Sequence, residues 1–438
     1  MKHYWYAVLF TLCSTSVHAH VGEQAHSFFM PRPVSTHSLL MAGSMFTAPT
    51  DKSTQSALSI EHTLFYHDSS DSGETVPYFF GKGKTSLRVD ESEAGDLNSQ
   101  WFNVASDTDS TYKSRLYIAP ERSLWGVAMR IQQSLGNLFD GLWAAVSVPF
   151  VEARHKLNVT EKIDSTSVVA SDSLFSSMVP ALDWDNWRAG KWSSSSQTIS
   201  GVDDVCMQIG VNLTGPLQST QRVYAELSIP VGGYPTAQYL FEPLIGSAGS
   251  FGLGGGTASV IPLLEIGNHV HIMLINQVHY RYHFSTKQQR LADIKGQPFS
   301  RYIILMDTGL SSNITNVAMK ASNGVNFLTR DAIVAPGATG QSVNGIEVRF
   351  RGHSVTTGYA YWWRAAEQVW FEKASIRSFA VPSPKGLVGG SPVWLPSPRI
   401  EDQFSVNDPT ATTSAATLHD IDYDMDSAAA AHTASHTL

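Results

Sequence analysis

Residues 269–284, HVHIMLINQVHYRYHF, alternate between two chemistries. Even positions carry Val270, Ile272, Leu274, Asn276, Val278, Tyr280, Tyr282 and Phe284. Odd positions carry His269, His271, Met273, Ile275, Gln277, His279, Arg281 and His283. Side chains two apart share a strand face, whereas a helix groups positions three and four apart. The stretch is therefore predicted as one long strand, apolar on one side and polar on the other. The pattern recurs in 205–213, 222–231, 346–353 and 79–90, where Lys82, Lys84 and Arg88 fall on the polar side. In 346–353, Ile346, Val348 and Phe350 oppose Glu347, Arg349 and Arg351. Weaker versions lie at 57–66, 115–119, 124–132, 142–150, 299–307 and 355–371. That makes about eleven predicted strands, mostly near the length of a tilted membrane-crossing strand.

Turn signals separate them: Asn323-Gly324, Asn344-Gly345 placed directly before a strand, and SAGSFGLGGG at 247–256, read as a flexible turn. Segments 156–202 and 311–344 read as long loops. From about 382 the alternation fades and Pro, Ser and Ala accumulate. The organisation expected is 1–19 as a leader, 20–55 as an N-terminal segment, 56–376 as the strand-rich body and 377–438 as a C-terminal segment.

The first nineteen residues, MKHYWYAVLFTLCSTSVHA, combine Lys2 and His3, an apolar stretch from Tyr4 to Leu12, and Val17 and Ala19 at cleavage-site positions. This is the arrangement of a cleaved export signal, and the apolar stretch is too short for a spanning helix. Removal would leave Cys206 as the single cysteine, which excludes a disulfide-stapled domain. The longest apolar run, 141–151, contains Pro149 and is far short of a helical span. Charged residues are 16% of the chain and the formal net charge is −8, so nucleic acid is not an expected partner.

Two architectures alternate in this way. A soluble β-sandwich places water on the polar side, whereas a membrane barrel places lipid on the apolar side. Large charged and imidazole groups on the polar face, long strands and aromatics near strand ends (Tyr280, Tyr282, Phe284 and 359–363) favour the barrel. With the export signal, these features over about 56–376 resemble bacterial outer-membrane β-barrel proteins of the porin type. The resemblance is to a class, without a family motif that would carry over a functional residue. It implies an antiparallel transmembrane β-barrel of about 12–16 strands in the outer membrane of a Gram-negative-type bacterium. Such proteins close on a C-terminal aromatic strand, whereas this chain ends SAAAAHTASHTL. The expectation is either that a closing strand is lacking or that the tail lies outside the barrel.

Candidate chemistry points the same way. His269 and His271 share a face, but His279 lies about 27 Å further along a strand, too far for one metal site. GKGKTS at 81–86 lacks the first glycine and the helix of a phosphate loop. DIDYDMD at 420–426 lacks the glycine and the glutamate of a calcium loop. No nucleophile elbow occurs, so the chain is expected not to be an enzyme and to need no cofactor or metal. The polar faces carry Lys82, Lys84, Arg88, Arg115, Arg130, Arg222, Arg281, Arg349 and Arg351 with His271 and His279, against few acids, among them Glu61, Glu226 and Glu347. All of these except Glu61 are the expected pore-lining residues. Val270, Ile272, Leu274, Val278, Tyr280, Tyr282, Ile346, Val348 and Phe350 are the expected lipid-facing ones. A basic lumen favours anions, so the function expected is a channel for small polar or anionic solutes. Three alternatives stand beside it: a lumen plugged by ion pairs, a barrel whose long loops serve adhesion or partner binding, and an exported β-sandwich that binds carbohydrate. Lipid and small solutes are the expected partners, and the oligomeric state stays open.

Overall fold

The computed structural model describes residues 57–437 with interruptions, the longest at 310–319 and 383–412. The leader and the N-terminal segment, 1–56, lie outside the described residues. The described residues are all-β, with 58% strand and four short α-helices among them. No described helix is long and apolar enough to cross a membrane.

Eleven strands form one curled antiparallel sheet. In chain order they are β1 (Leu58–Asp68), β2 (Glu121–Ser134), β3 (Leu142–Lys156), β4 (Gln197–Val202), β5 (Val205–Thr214), β6 (Thr220–Ile229), β7 (Gly252–Ile266), β8 (Val270–His283), β9 (Gly337–Phe350), β10 (His353–Arg364) and β11 (Thr433–Thr437). Each pairs with its sequence neighbour, except that β4 and β5 share β3 and both run beside it. Because directions alternate, every second connection emerges at the same end. One end carries only the short connections 135–141, 215–219, 267–269 and 351–352. The other carries the long ones, 69–120, 157–196, 230–251, 284–336 and 365–432.

The long connections are folded. They build small sheets from Leu87–Asp90, Leu97–Asn98, Lys113–Tyr117 and Thr160–Ile163, and from Thr286–Leu291, Thr329–Ala335 and Gln368–Phe371. These share a buried apolar core with Phe80, Phe102, Trp187, Trp192, Tyr302 and Tyr423. Tyr302 is its hub: its ring lies 5.4 Å from those of both Phe102 and Trp187, and its hydroxyl accepts from Trp192 Nε1 at 2.5 Å. A buried Asp293 accepts from Arg301 Nε at 2.8 Å and from the Phe299 and Arg301 amides. Glu367 ties the connections together, accepting from Arg290 at 2.9 Å, from Arg364 and from the Ala430 amide at 3.1 Å. Burial raises its pKa, but Arg290 and Arg364 outweigh that and hold the carboxyl below its ordinary range.

Several expectations are corrected here. The alternation at 79–90 is not one strand: Val76–Phe80 is helical, with Pro77 in its first turn, and only Leu87–Asp90 is extended. The 115–119 and 299–307 patterns belong to the small sheets built by the long connections, together the side body, and not to the curled sheet. The 355–371 pattern divides into β10 and a short side-body strand, Gln368–Phe371. Segment 156–202 is packed structure, and β9 begins inside the loop expected at 311–344, so Asn344-Gly345 is mid-strand. Glycines 252–256 are not a turn but the start of β7. The sheet also extends past residue 376, because Thr433–Thr437 pairs with β10. Eleven strands among the described residues fall below the 12–16 expected, and β1 and β11 are the sheet edges.

Candidate functional site

The curled sheet distributes polarity in the reverse of a water-soluble core. Outward positions are apolar and exposed: Ile60 and Leu64 on β1, Met129 and Ile131 on β2, Ile209 on β5, Val278, Tyr280 and Tyr282 on β8, and Ile346, Val348 and Phe350 on β9. Val270, Ile272 and Leu274 share that β8 face and are half-buried. Inward positions are buried and many are polar, among them Arg130, Gln132, Gln208, Arg222, Glu226, Gln277, His279 and Arg281, beside apolar ones such as Leu124, Val151, Met273 and Ile275. The one polar intrusion on the outer β8 face is self-satisfied. Asn276 Nδ2 donates to Asn344 Oδ1 of the paired β9 position at 2.5 Å, and Asn344 Nδ2 donates to Ser342 Oγ at 3.2 Å.

The inward groups of β2, β3, β5, β6 and β8 meet in one belt. Glu226 is its carboxylate hub. It accepts from Arg281 Nε at 3.0 Å and from Gln208 Nε2 at 2.6 Å, and His279 Nε2 lies 3.2 Å away. Arg281 also reaches Cys206 Sγ at 3.4 Å. Arg130 donates to Gln208 at 2.9 Å and to Gln132 at 3.3 Å. The Arg130 and Arg222 guanidiniums both stand over the Trp143 ring, at 5.6 and 5.4 Å, and His279 stacks on Tyr224 at 6.1 Å. Glu61, the β1 partner of Arg130 in register, lies within electrostatic reach of both arginines.

Glycine makes the belt sterically feasible. A Cβ at Gly210 would lie 2.7 Å from both the Trp143 ring and Tyr224 Cβ, and one at Gly252 would lie 2.6 Å from Arg281 Cδ. Large inward side chains therefore pack over glycine positions of neighbouring strands, Trp143 over Gly210 and Arg281 over Gly252.

A second inward feature is local. Pro149 supplies no amide to the ladder, and opposite it the pairing of β4 and β5 is interrupted. Two successive residues, Asp203 and Asp204, are consequently buried. Their contacts are internal: Asp204 accepts from Ser228 Oγ at 3.3 Å and from the Ser247 amide at 3.1 Å.

The sequence-derived pore residues thus fall into three groups. Arg130, Arg222, Glu226, His279 and Arg281 converge in the belt. His271, Glu347 and Arg349 sit inward near the short-connection end, where Arg349 Nε donates to Glu347 at 2.8 Å and His271 lies 3.8 Å from Glu265. Lys84, Arg88 and Arg115 belong to the side body instead, and Lys84 there pairs with Asp96 at 2.5 Å. Arg88 and Arg115 alternate because they lie on short strands of that body, whose periodicity equals that of the long strands, whereas Lys84 lies in the turn before Leu87–Asp90. Lys82 and Arg351 lie outside the described residues. Sequence reasoning missed Trp143, Tyr224, Gln208 and Gln277, although each lies two residues along a strand from an inward position and was open to the same test. The histidines do not converge, and no metal-binding cluster occurs among the described residues. No protein-family model and no curated protein matches the chain.

Proposed function

We propose that the chain is an outer-membrane β-barrel protein whose interior forms a narrow, positively biased passage for small polar or anionic solutes. The observation that carries the reading is the inversion of polarity across the curled sheet. More than twenty large apolar side chains are exposed on its outer face. Leaving a Leu-sized side chain wet forgoes about 1.5–3 kcal/mol when fully exposed. Over twenty at half exposure would forgo tens of kcal/mol, more than the usual net stability of about 5–15 kcal/mol. In lipid that penalty vanishes. The apolar face runs from β1 to β10, and an exposed apolar surface of that extent marks a contact with membrane or partner. The placement of short connections at one end and long ones at the other adds to the case.

The belt supports the second half of the proposal. Among the belt residues three arginines face Glu226 and Glu61, an excess of one formal positive charge before the neighbouring Asp204, which lies within electrostatic reach of Arg281, is counted, and the low-dielectric surrounding amplifies each charge. Its side chains are buried and touch one another, so the passage they leave is small, unlike that of a wide diffusion pore. The test is single-channel conductance in a planar bilayer under a salt gradient. The proposal expects small unitary currents with an anion-selective reversal potential. Cation selectivity, or a silent protein, would overturn it.

A second reading is favoured by the side body. Its extended aromatic core makes the long-connection end a rigid surface, and rigid surfaces suit partner binding or adhesion. A non-conducting protein that nonetheless binds cells or matrix would select this reading.

A further inference from the structure

Within the belt, the groups around Trp143 are arranged unlike the rest. Arg281 has a complete set of partners in Glu226 and Cys206. Around Trp143, two guanidiniums share one indole, and both belong to side chains at most 5% exposed. Like charges so placed repel, and the repulsion is strong where water is excluded. Two donors here are also buried without an acceptor: Arg130 Nε and Trp143 Nε1. The nearby carboxylate does not take them up, since Glu61 Oε1 is itself buried without a partner. An unmet buried donor costs about 1–3 kcal/mol, and more when charged, so the arrangement calls for an acceptor that carries negative charge.

We propose that Arg130, Arg222 and Trp143 form a binding site for a small oxyanion, a carboxylate or a phosphate, inside the barrel. The inference rests on the passage reading and deepens it by naming the ligand class and the residues that hold it. Arg130 and Arg222 supply charge and planar donors, which match the oxygen geometry of such anions. Trp143 Nε1 supplies a neutral donor, and its ring holds both guanidiniums in place through cation–π contact. Glu61 opposes the ligand's charge, so it keeps occupancy reversible, as passage requires. Gly210 provides the space in which the indole lies.

The test uses the full chain folded in detergent micelles, titrated with inorganic phosphate in a phosphate-free buffer and followed by tryptophan fluorescence. Binding should be saturable. Arg130→Gln should weaken it about tenfold or more, and Glu61→Gln should tighten it several-fold. A purely structural role for these residues predicts no gain in Glu61→Gln, and that variant carries the test if Arg130→Gln fails to fold. Absence of saturable binding, or equal affinity in wild type and Glu61→Gln, overturns the inference. The same proteins in bilayers separate the two claims. Phosphate-insensitive anion currents in wild type and both variants would sink the site and keep the passage. Silent bilayers with the expected binding pattern would keep the site and sink the passage.

Discussion

Replacing Val278 by arginine puts the lipid-facing reading at risk directly. Val278 stands near the middle of β8, outward and 47% exposed, with Thr257 and Ser342 as its strand partners. Neither neighbour can neutralise a guanidinium. If the outer face meets water, an exposed substitution of this kind changes stability by no more than about 0.5 kcal/mol. If it meets the bilayer near mid-depth, the cost is about 2–4 kcal/mol, falling to about 0–1 kcal/mol near an interface. The first figure corresponds to a roughly 30- to 900-fold shift in the folding equilibrium. Ile266, the last residue of β7 beside a short connection, supplies the shallow control. The assay is urea-dependent refolding into lipid vesicles, read by tryptophan fluorescence, for wild type, Val278→Arg and Ile266→Arg. A large loss for Val278→Arg with a small one for Ile266→Arg is expected. Near-zero loss at both positions would refute the reasoning.

Four further outcomes follow from named contacts. Glu226→Gln strips the counter-charge from a buried Arg281 and should cost about 3–5 kcal/mol in the same refolding assay, whereas Glu226→Leu combined with Arg281→Met should recover much of it. Gly210→Val forces the Trp143 ring aside and should cost about 1–3 kcal/mol, with a shifted emission spectrum. Tyr302→Ala opens the side-body core and should cost about 3–5 kcal/mol, seen as protease cleavage within the long connections, while Tyr302→Phe should cost less, about 1–3 kcal/mol, because Trp192 Nε1 is left buried without its acceptor. Because Glu367 is held below its ordinary range in the folded state, its contribution is complete above the usual glutamate value and lost as pH falls through the depressed one. Protease resistance of the side body should therefore drop below about pH 4, and Glu367→Gln should remove that step.

How much of this was legible in the sequence depended on which signal survives without neighbours. Residues 270–283 of the opening stretch read correctly as a long two-faced strand, because period-two alternation is a local property. The same stretch misled through its histidines. His271 lies near the short connections, His279 faces Glu226 and His283 reaches Thr339, so they are separate groups on one inward face. Asn276, the exception on the apolar side, is explained only by Asn344 across the strand pair, a partner set by register.

The side body was invisible for a physical reason. Its core draws Phe102, the pair Trp187 and Trp192, and Tyr302 from three separate connections, and no one segment carries their spacing. Glycines 252–256 looked like a turn because composition alone does not distinguish flexibility from clearance, and here they clear space for Arg281 and Tyr224. The strand at 433–437 lacks large apolar residues and gave no alternation to read.

The most direct test of the central claim is membrane fractionation joined to heat-dependent gel mobility. The account predicts that the protein stays in the membrane pellet after carbonate extraction and that unheated protein migrates differently from boiled protein. Full extraction by carbonate with no mobility shift would contradict it.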